Sequence, residues 1–240
     1  KEEIEYYEAD KDGKDGKKVK KEYYNNDGQL HRDTDSNGND QPAIIWNYDF
    51  GIPGIKHIEE YYKNGKLHRK GDHPAKIWYY KDGTIMRKEY YNNDGKLYRV
   101  KNSGNDQPAV ITYNYRGQKV RDEYYNKDGK IVKGESYYDE SYNNKAGQLW
   151  ATTHTEYNKD GKKVKEEHDY KDRQEKIYNY YEDGVEVRQE YYKHSKLVKE
   201  EYYEHSKLVK EENYNIGNQY YSKIQIDYKD GKKIKEKYYK

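Results

Sequence analysis

The chain has 240 residues, with 47 Lys and Arg against 45 Asp and Glu, a net charge of +2, no cysteine, and 34 tyrosines beside a single Phe. With 38% charged residues and a mean hydropathy of −1.63, a thick aliphatic core is excluded. The near-neutral balance and 16% aromatic content argue against ordinary disorder, the missing cysteines rule out a disulfide framework and thiolate chemistry, and no stretch approaches the ~20 apolar residues of a membrane span.

In chain order, the first repeat-like phrase is Ile4–Tyr7. Lys1 is not Met and no signal-peptide core follows, so a processed product and a segment of something longer are both open. Tyr23-Tyr24 then leads to the turn dipeptide Asp27-Gly28, and Gly28-Gln29-Leu30-His31-Arg32-Asp33 runs through a polar loop (Ser36-Asn37-Gly38-Asn39-Asp40) to Pro42-Ala43-Ile44-Ile45-Trp46-Asn47-Tyr48. Tyr61-Tyr62 leads to Asn64-Gly65 and a shortened copy, Leu67-His68-Arg69 to Pro74-Ala75-Lys76-Ile77-Trp78-Tyr79. Tyr90-Tyr91 leads to Asp94-Gly95 and a full copy through Ser103-Gly104-Asn105-Asp106 to Pro108-Ala109-Val110-Ile111-Thr112-Tyr113. Each Pro suits the start of a strand, where a missing N–H costs least.

From there the units shorten. Tyr124-Tyr125 precedes Asp128-Gly129, Tyr157 precedes Asp160-Gly161, Tyr181 precedes Asp183-Gly184, and Tyr228 precedes Asp230-Gly231. The clearest repeat is Glu190–Glu200 followed by Glu201–Glu211, a shift of 11 residues in which His194-Ser195 and His205-Ser206 replace the turn dipeptide. Asp-Gly and Asn-Gly between residues of high β propensity signal two-residue hairpin turns with both central residues at positive φ. A strand of ~8 residues and a short turn fill one 11-residue unit.

The sequence therefore predicts an all-β fold: an elongated antiparallel β-meander of tandem 11-residue strand-turn units, about 22 residues per hairpin, forming a largely single-layer twisted repeat ribbon of about 20 strands. Residues 1–240 read as one array, with longer, more apolar units over 22–115 and shorter ones over 116–240. Alternation in Lys163–Tyr170 and in Leu197–Tyr203 mixes charge with apolar surface on both faces, which speaks against a sandwich. Cross-strand Tyr, Val and Leu contacts and Lys–Glu pairs are expected to hold the sheet. Ile44, Ile45, Trp46, Ile77, Trp78, Val110 and Ile111 are expected to gather a modest core.

Tyr61-Tyr62-Lys63-Asn64-Gly65-Lys66-Leu67 resembles the MORN repeat and its bacterial antitoxin-like variant. The extended form, Leu30-His31-Arg32 with Pro42-Ala43 and Leu67-His68-Arg69 with Pro74-Ala75, is similar to tandem-repeat proteins of amoebal giant DNA viruses. The resemblance implies an elongated single-layer antiparallel sheet, brings scaffolding, membrane tethering or dimerisation as functions, and carries no catalytic residues. The Gly expected after the His/Arg segment of a standard MORN unit is mostly missing, and the period drifts.

For function, the sequence points to a non-enzymatic structural scaffold, a component of a virion surface, fibre or other extended assembly, self-associating through edge strands; a virion or extracellular setting is favoured over cytoplasm. Ile4–Tyr7 and Lys235–Lys240 still look like repeat units, which leaves edges that pair with another chain or continue into further repeats. The alternative is a protein- or glycan-binding module whose sheet face presents Trp46, Tyr48, Tyr61, Tyr62, Trp78, Tyr80, Tyr90, Tyr91, Tyr124, Tyr125, Tyr191, Tyr192, Tyr202 and Tyr203. The expected partners are thus self, another protein or a glycan. Nucleic acid is disfavoured because acidic residues cancel the basic ones. Catalytic, metal and cofactor sites are not expected. His31, His68, His194 and His205 recur at repeat positions, and Asp10-Lys11-Asp12-Gly13 has Lys21 where a calcium loop needs its last carboxylate.

Overall fold

The computed structural model describes residues 2–8, 17–47, 56–99, 107–137, 152–170, 173–214 and 222–240. Tyr48, the Asp10–Gly13 stretch and the Ser103–Asp106 loop lie outside the described residues. The described residues form 19 β-strands and no α-helix, as high β propensity broken by regular turn dipeptides requires. They divide into two units, residues 1–131 and 132–240.

The first unit contains β1 (Glu2–Glu8), β2 (Lys17–Tyr24), β3 (Ile44–Asn47), β4 (Lys56–Glu60), β5 (Tyr62–Lys63), β6 (Lys66–Leu67), β7 (Lys76–Tyr79), β8 (Ile85–Glu89), β9 (Val110–Tyr113) and β10 (Lys119–Tyr125). Its sheet is an antiparallel meander in the order β1-β2-β3-β4-β7-β8-β9-β10. The β5–β6 hairpin is a side arm, paired only with itself in register Tyr62↔Leu67. Single bridges Tyr24↔Leu30 and Tyr91↔Leu97 mark the same arm in the neighbouring copies. The second unit contains β11 (Ile131–Ser136), β12 (Thr152–Tyr157), β13 (Lys163–Tyr170), β14 (Glu175–Glu182), β15 (Val185–Lys193), β16 (Lys196–Glu204), β17 (Lys207–Tyr214), β18 (Lys223–Lys229) and β19 (Lys232–Tyr239). Each of these from β11 to β19 pairs antiparallel with the next. β15, β16 and β17 start 11 residues apart, at Val185, Lys196 and Lys207.

The turns fall into two kinds, where the dipeptides alone predict one. Asn64-Gly65, Asp183-Gly184, His194-Ser195, His205-Ser206 and Asp230-Gly231 have positive φ at both residues, as a two-residue hairpin turn requires. Before Gly28, Gly95, Gly117, Gly129 and Gly161 only the glycine is left-handed. In those turns an Asn three residues earlier organises the loop. Asn25 Oδ1 accepts the N–H groups of Asp27 and Gln29 at 3.0 and 2.9 Å, and Asn92, Asn114, Asn126 and Asn158 do the same. An amide side chain that closes its own turn makes the extra residue affordable.

A β-bulge accompanies nearly every long hairpin. Tyr191 pairs with Lys199 and Tyr192 with Leu197, so Val198 is the extra residue. The register passes over Val19, His57, Met86, Val120, Val164, Val187, Val209 and Ile234 in the same way. The residue is usually β-branched and always precedes the central charged run. A bulge bends its strand and increases the local twist, and it shifts the alternation by one, which is why neither face reads as cleanly apolar.

The apolar core lies in the first unit. Ala43, Ala75, Ala109 and Val110 are fully buried, with Ile44, Tyr61, Ile77, Tyr90 and Ile111 nearly so. Of the expected core residues Ile44, Ile77, Val110 and Ile111 are buried, Ile45 and Trp78 are half-buried, and Trp46 is exposed at 37%.

Candidate interaction surface

Among the described residues of the second unit no large apolar side chain is buried; four glutamates are, with Thr155 and Asn179. Glu190, Glu200, Glu201 and Glu212 are each below 10% exposed, as are Glu22, Glu59, Glu60, Glu89 and Glu123 in the first unit. A buried carboxylate needs partners that replace its water. The strands supply them locally, because residues two apart share a face. Arg121 Nε donates to Glu123 at 2.7 Å and Tyr125 Oη donates to it at 2.8 Å. Arg87, Glu89 and Tyr91 repeat the arrangement at 2.9 and 2.6 Å, Lys199, Glu201 and Tyr203 at 2.6 and 2.7 Å, and Lys133, Glu135 and Tyr137 at 2.7 and 3.0 Å. Lys20, Glu22 and Tyr24 form the same triplet, as do Lys210, Glu212 and Tyr214. The sequence signal is cation-x-Glu-x-Tyr, directly after the bulge residue at Lys20, Arg87, Arg121, Lys199 and Lys210, a motif that hydropathy hides because its members are all polar.

Neighbouring strands share these carboxylates. Tyr191 Oη donates to Glu201 and Tyr214 Oη to Glu200, and Tyr180 Oη reaches Glu190 at 2.8 Å. Burial alone would push the Glu201 carboxyl up, but hydrogen bonds from Lys199, Tyr191 and Tyr203 outweigh it and hold its pKa below the ordinary value. Glu166 is held at about 2 by His168, and by Lys163 at 2.9 Å. The tyrosines move the other way: burial, then the facing carboxylates, lifts Tyr180 and Tyr202 to about 12.

In the first unit the Leu-His-Arg…Pro-Ala phrase has its own geometry. The guanidinium groups of Arg32, Arg69 and Arg99 stack on Tyr23, Tyr61 and Tyr90, with 3.8, 3.8 and 3.9 Å from Cζ to the ring centre. Arg32 and Arg69 also donate to the carbonyls of Pro42 and Pro74 at 3.3 and 3.4 Å. A planar cation satisfies a ring face and a carbonyl together, which a lysine does not. Successive side arms lean on each other: Gly65 N–H donates to the Leu30 carbonyl at 2.9 Å. A Cβ on Gly129 would meet Lys96 Cβ at 3.1 Å. Between two such arms lies a polar groove of about 380 Å³, lined among others by His31, Arg32, Asp40, Tyr61, His68 and Arg69. Burial lowers the His68 pKa, and its Nδ1 has no hydrogen-bond partner.

These contacts locate the aromatic residues singled out from sequence. Tyr61 and Tyr90 are buried under Arg69 and Arg99 rather than lying on an exposed face. Tyr62, Tyr91, Tyr125, Tyr191, Tyr192 and Tyr203 are half-buried with hydroxyls on Glu or Gln carboxyl and amide oxygens, and Tyr80 donates to the Tyr113 carbonyl. Tyr124 is half-buried. Tyr202 lies under Lys210, Trp78 between Lys76 and Arg87, and Trp46 beneath Lys20. The most accessible large apolar side chains lie elsewhere. Of nine exposed among the described residues, five sit on β1 and β19: Tyr6, Tyr7, Ile234, Tyr238 and Tyr239.

Of the histidines, His194 and His205 occupy the left-handed turn positions, and His31 Nδ1 accepts the Asn64 N–H at 3.3 Å. Among the described residues no group of three or more His, Asp or Glu could hold a metal ion, and no helix is long and apolar enough to cross a membrane. No known family model matches the chain, and no curated protein is significantly similar to it.

Proposed function

We propose that the chain is a non-enzymatic, MORN-like repeat scaffold that builds an extended assembly, such as a virion surface or fibre, by pairing through edge strands. The observation that carries this reading is the backbone edge left at β1 and at β19. Among the described residues, β1 pairs with β2 alone and β19 with β18 alone. β19 is exposed along nearly its whole length. Unpaired N–H and C=O groups on such a strand are a template for another strand. Buried glutamates such as Glu123 and Glu201 are bound into the Glu–Tyr–cation network rather than left free. Negative-stain electron microscopy of the 240-residue chain tests this: strings of particles joined end to end support it, and isolated particles at all concentrations overturn it.

A second reading rests on Trp46, an exposed indole on β3 with Lys20 over its ring. An open indole flanked by a cation suits a glycan or a protein loop, and a glycan array probed with the chain and its Trp46→Ala variant tests it.

A further inference from the structure

We infer that the assembly is head to tail, with β1 of one copy adding to the outer edge of β19 of another in a register fixed by the repeat. This inference rests on the scaffold reading and specifies its contact. The two edges are oppositely charged: β1 carries Glu2, Glu3 and Glu5 and no basic residue, whereas β19 carries Lys232, Lys233, Lys235 and Lys237 with one Glu. Both also hold most of the exposed aromatic surface.

The register comes from internal equivalence. β17 and β19 each follow a two-residue turn and each carry the extra residue third, Val209 and Ile234. Tyr239 thus stands where Tyr214 stands, Lys237 where Glu212 stands, and Lys235 where Lys210 stands. β1 and β18 are equivalent through the strand that follows each: Glu2 and Lys223 face Tyr24 and Tyr239, while Tyr7 and Tyr228 face Lys18 and Lys233. Inside the chain β17 meets β18 in the register Tyr214↔Lys223, Asn213↔Ile224, Glu212↔Gln225, Glu211↔Ile226 and Lys210↔Asp227. Transferred to two copies, Tyr239 faces Glu2, Tyr238 faces Glu3, Lys237 faces Ile4, Glu236 faces Glu5 and Lys235 faces Tyr6.

Charge makes this junction selective. Within the chain, Lys223 bridges to Glu212 at 3.0 Å. At the junction the equivalent pair is Glu2 with Lys237, the same bridge with its signs exchanged. β1 against β1 would oppose glutamates, and β19 against β19 would oppose lysines, so like-with-like pairing is penalised. Glu5 opposite Glu236 repeats Glu201 opposite Glu211, which the sheet accommodates with Lys199 bridging to both carboxylates; Lys18 and Lys21 already flank Glu5. A contact between two different surfaces does not close on itself by a twofold axis; repeated from copy to copy it gives an open string or a ring.

Because the chain has no cysteine, the junction can be trapped. Glu3→Cys and Tyr238→Cys chains are mixed under mild oxidation, with folding of each checked by circular dichroism and association followed by sedimentation. The expected result is a covalent two-chain product from the mixture, weakened severalfold by Lys237→Glu on the second chain and restored by adding Glu2→Lys to the first. Association without this cross-link, or with equal cross-linking of a Glu5→Cys chain, overturns the head-to-tail register while leaving a self-associating scaffold. A chain that stays monomeric at high concentration overturns both.

Discussion

Tyr191 donates its hydroxyl to Glu201 across the strand pair at 2.6 Å, and Tyr203 donates to the same carboxylate from two residues along its own strand at 2.7 Å. With Lys199 at 2.6 Å, one buried charge is held by three donors from two strands. Tyr→Phe at either position keeps the ring and removes one bond to a charged acceptor, so each is expected to cost about 1.5–3 kcal/mol. The double variant should cost less than the sum if the remaining donors compensate, or more if Glu201 is left stranded. Urea denaturation of the four members of the cycle measures the coupling; additive, negligible losses would show that the network does not hold the sheet.

The same network sets a pH window. Burial raises the phenols of Tyr61, Tyr180, Tyr181 and Tyr202 to about 12. A proton held more tightly by the folded chain gives stability that is complete below the ordinary tyrosine value of 10.0 and lost as pH rises toward 12. Glu166 behaves oppositely: its stabilisation is complete above 4.5 and lost as pH falls toward 2. Phenolate absorbance should therefore rise together with loss of the β circular-dichroism signal. Titration of most tyrosines near their ordinary value with the sheet intact would refute the ladder.

Ser195 and Ser206 sit at φ of 62° and 61°, where glycine stands in the neighbouring turns. A side chain costs about 1–2 kcal/mol in that region, offset by about 0.5–1 kcal/mol of glycine chain entropy. Ser195→Gly and Ser206→Gly are each expected to stabilise by about 0.5–1 kcal/mol, raising Tm by a few degrees. Calorimetry reads this directly, and an unchanged or lowered Tm would mean the turn is not strained.

Ala75 is fully buried against Tyr61 and Ile77. Ala75→Leu forces extra methyl groups into that contact and is expected to cost about 1–3 kcal/mol, whereas Ala75→Gly leaves the Arg69 stack on Tyr61 in place. Thermal melts of both variants separate packing from backbone effects; a neutral Ala75→Leu would contradict the tight seat of the Pro-Ala segment.

Strand identity and spacing were legible because they depend on neighbours in sequence: Val185, Lys196 and Lys207 start successive strands where the 11-residue phrase restarts. The dipeptides predict one turn kind and miss the second, although the Asn three residues before glycine at Asn25, Asn92, Asn126 and Asn158 marks it. Other features depend on which partner is chosen across a turn, which the alternation along one strand does not give. That Val198 is skipped follows only once Tyr191 and Tyr192 have chosen Lys199 and Leu197. That Tyr61 is covered follows from Arg69 folding back over it. The glutamates were hidden for another reason: burying a charge runs against hydropathy, and Glu201 becomes a core residue only when its cation and tyrosines close around it.

Sedimentation velocity on the 240-residue chain, over a wide concentration range and at low and high salt, tests the scaffold account most directly. The account requires a shift from single chains to progressively longer species with rising concentration, weakened by salt that screens the lysine and glutamate edges. One species of constant size under every condition would contradict it.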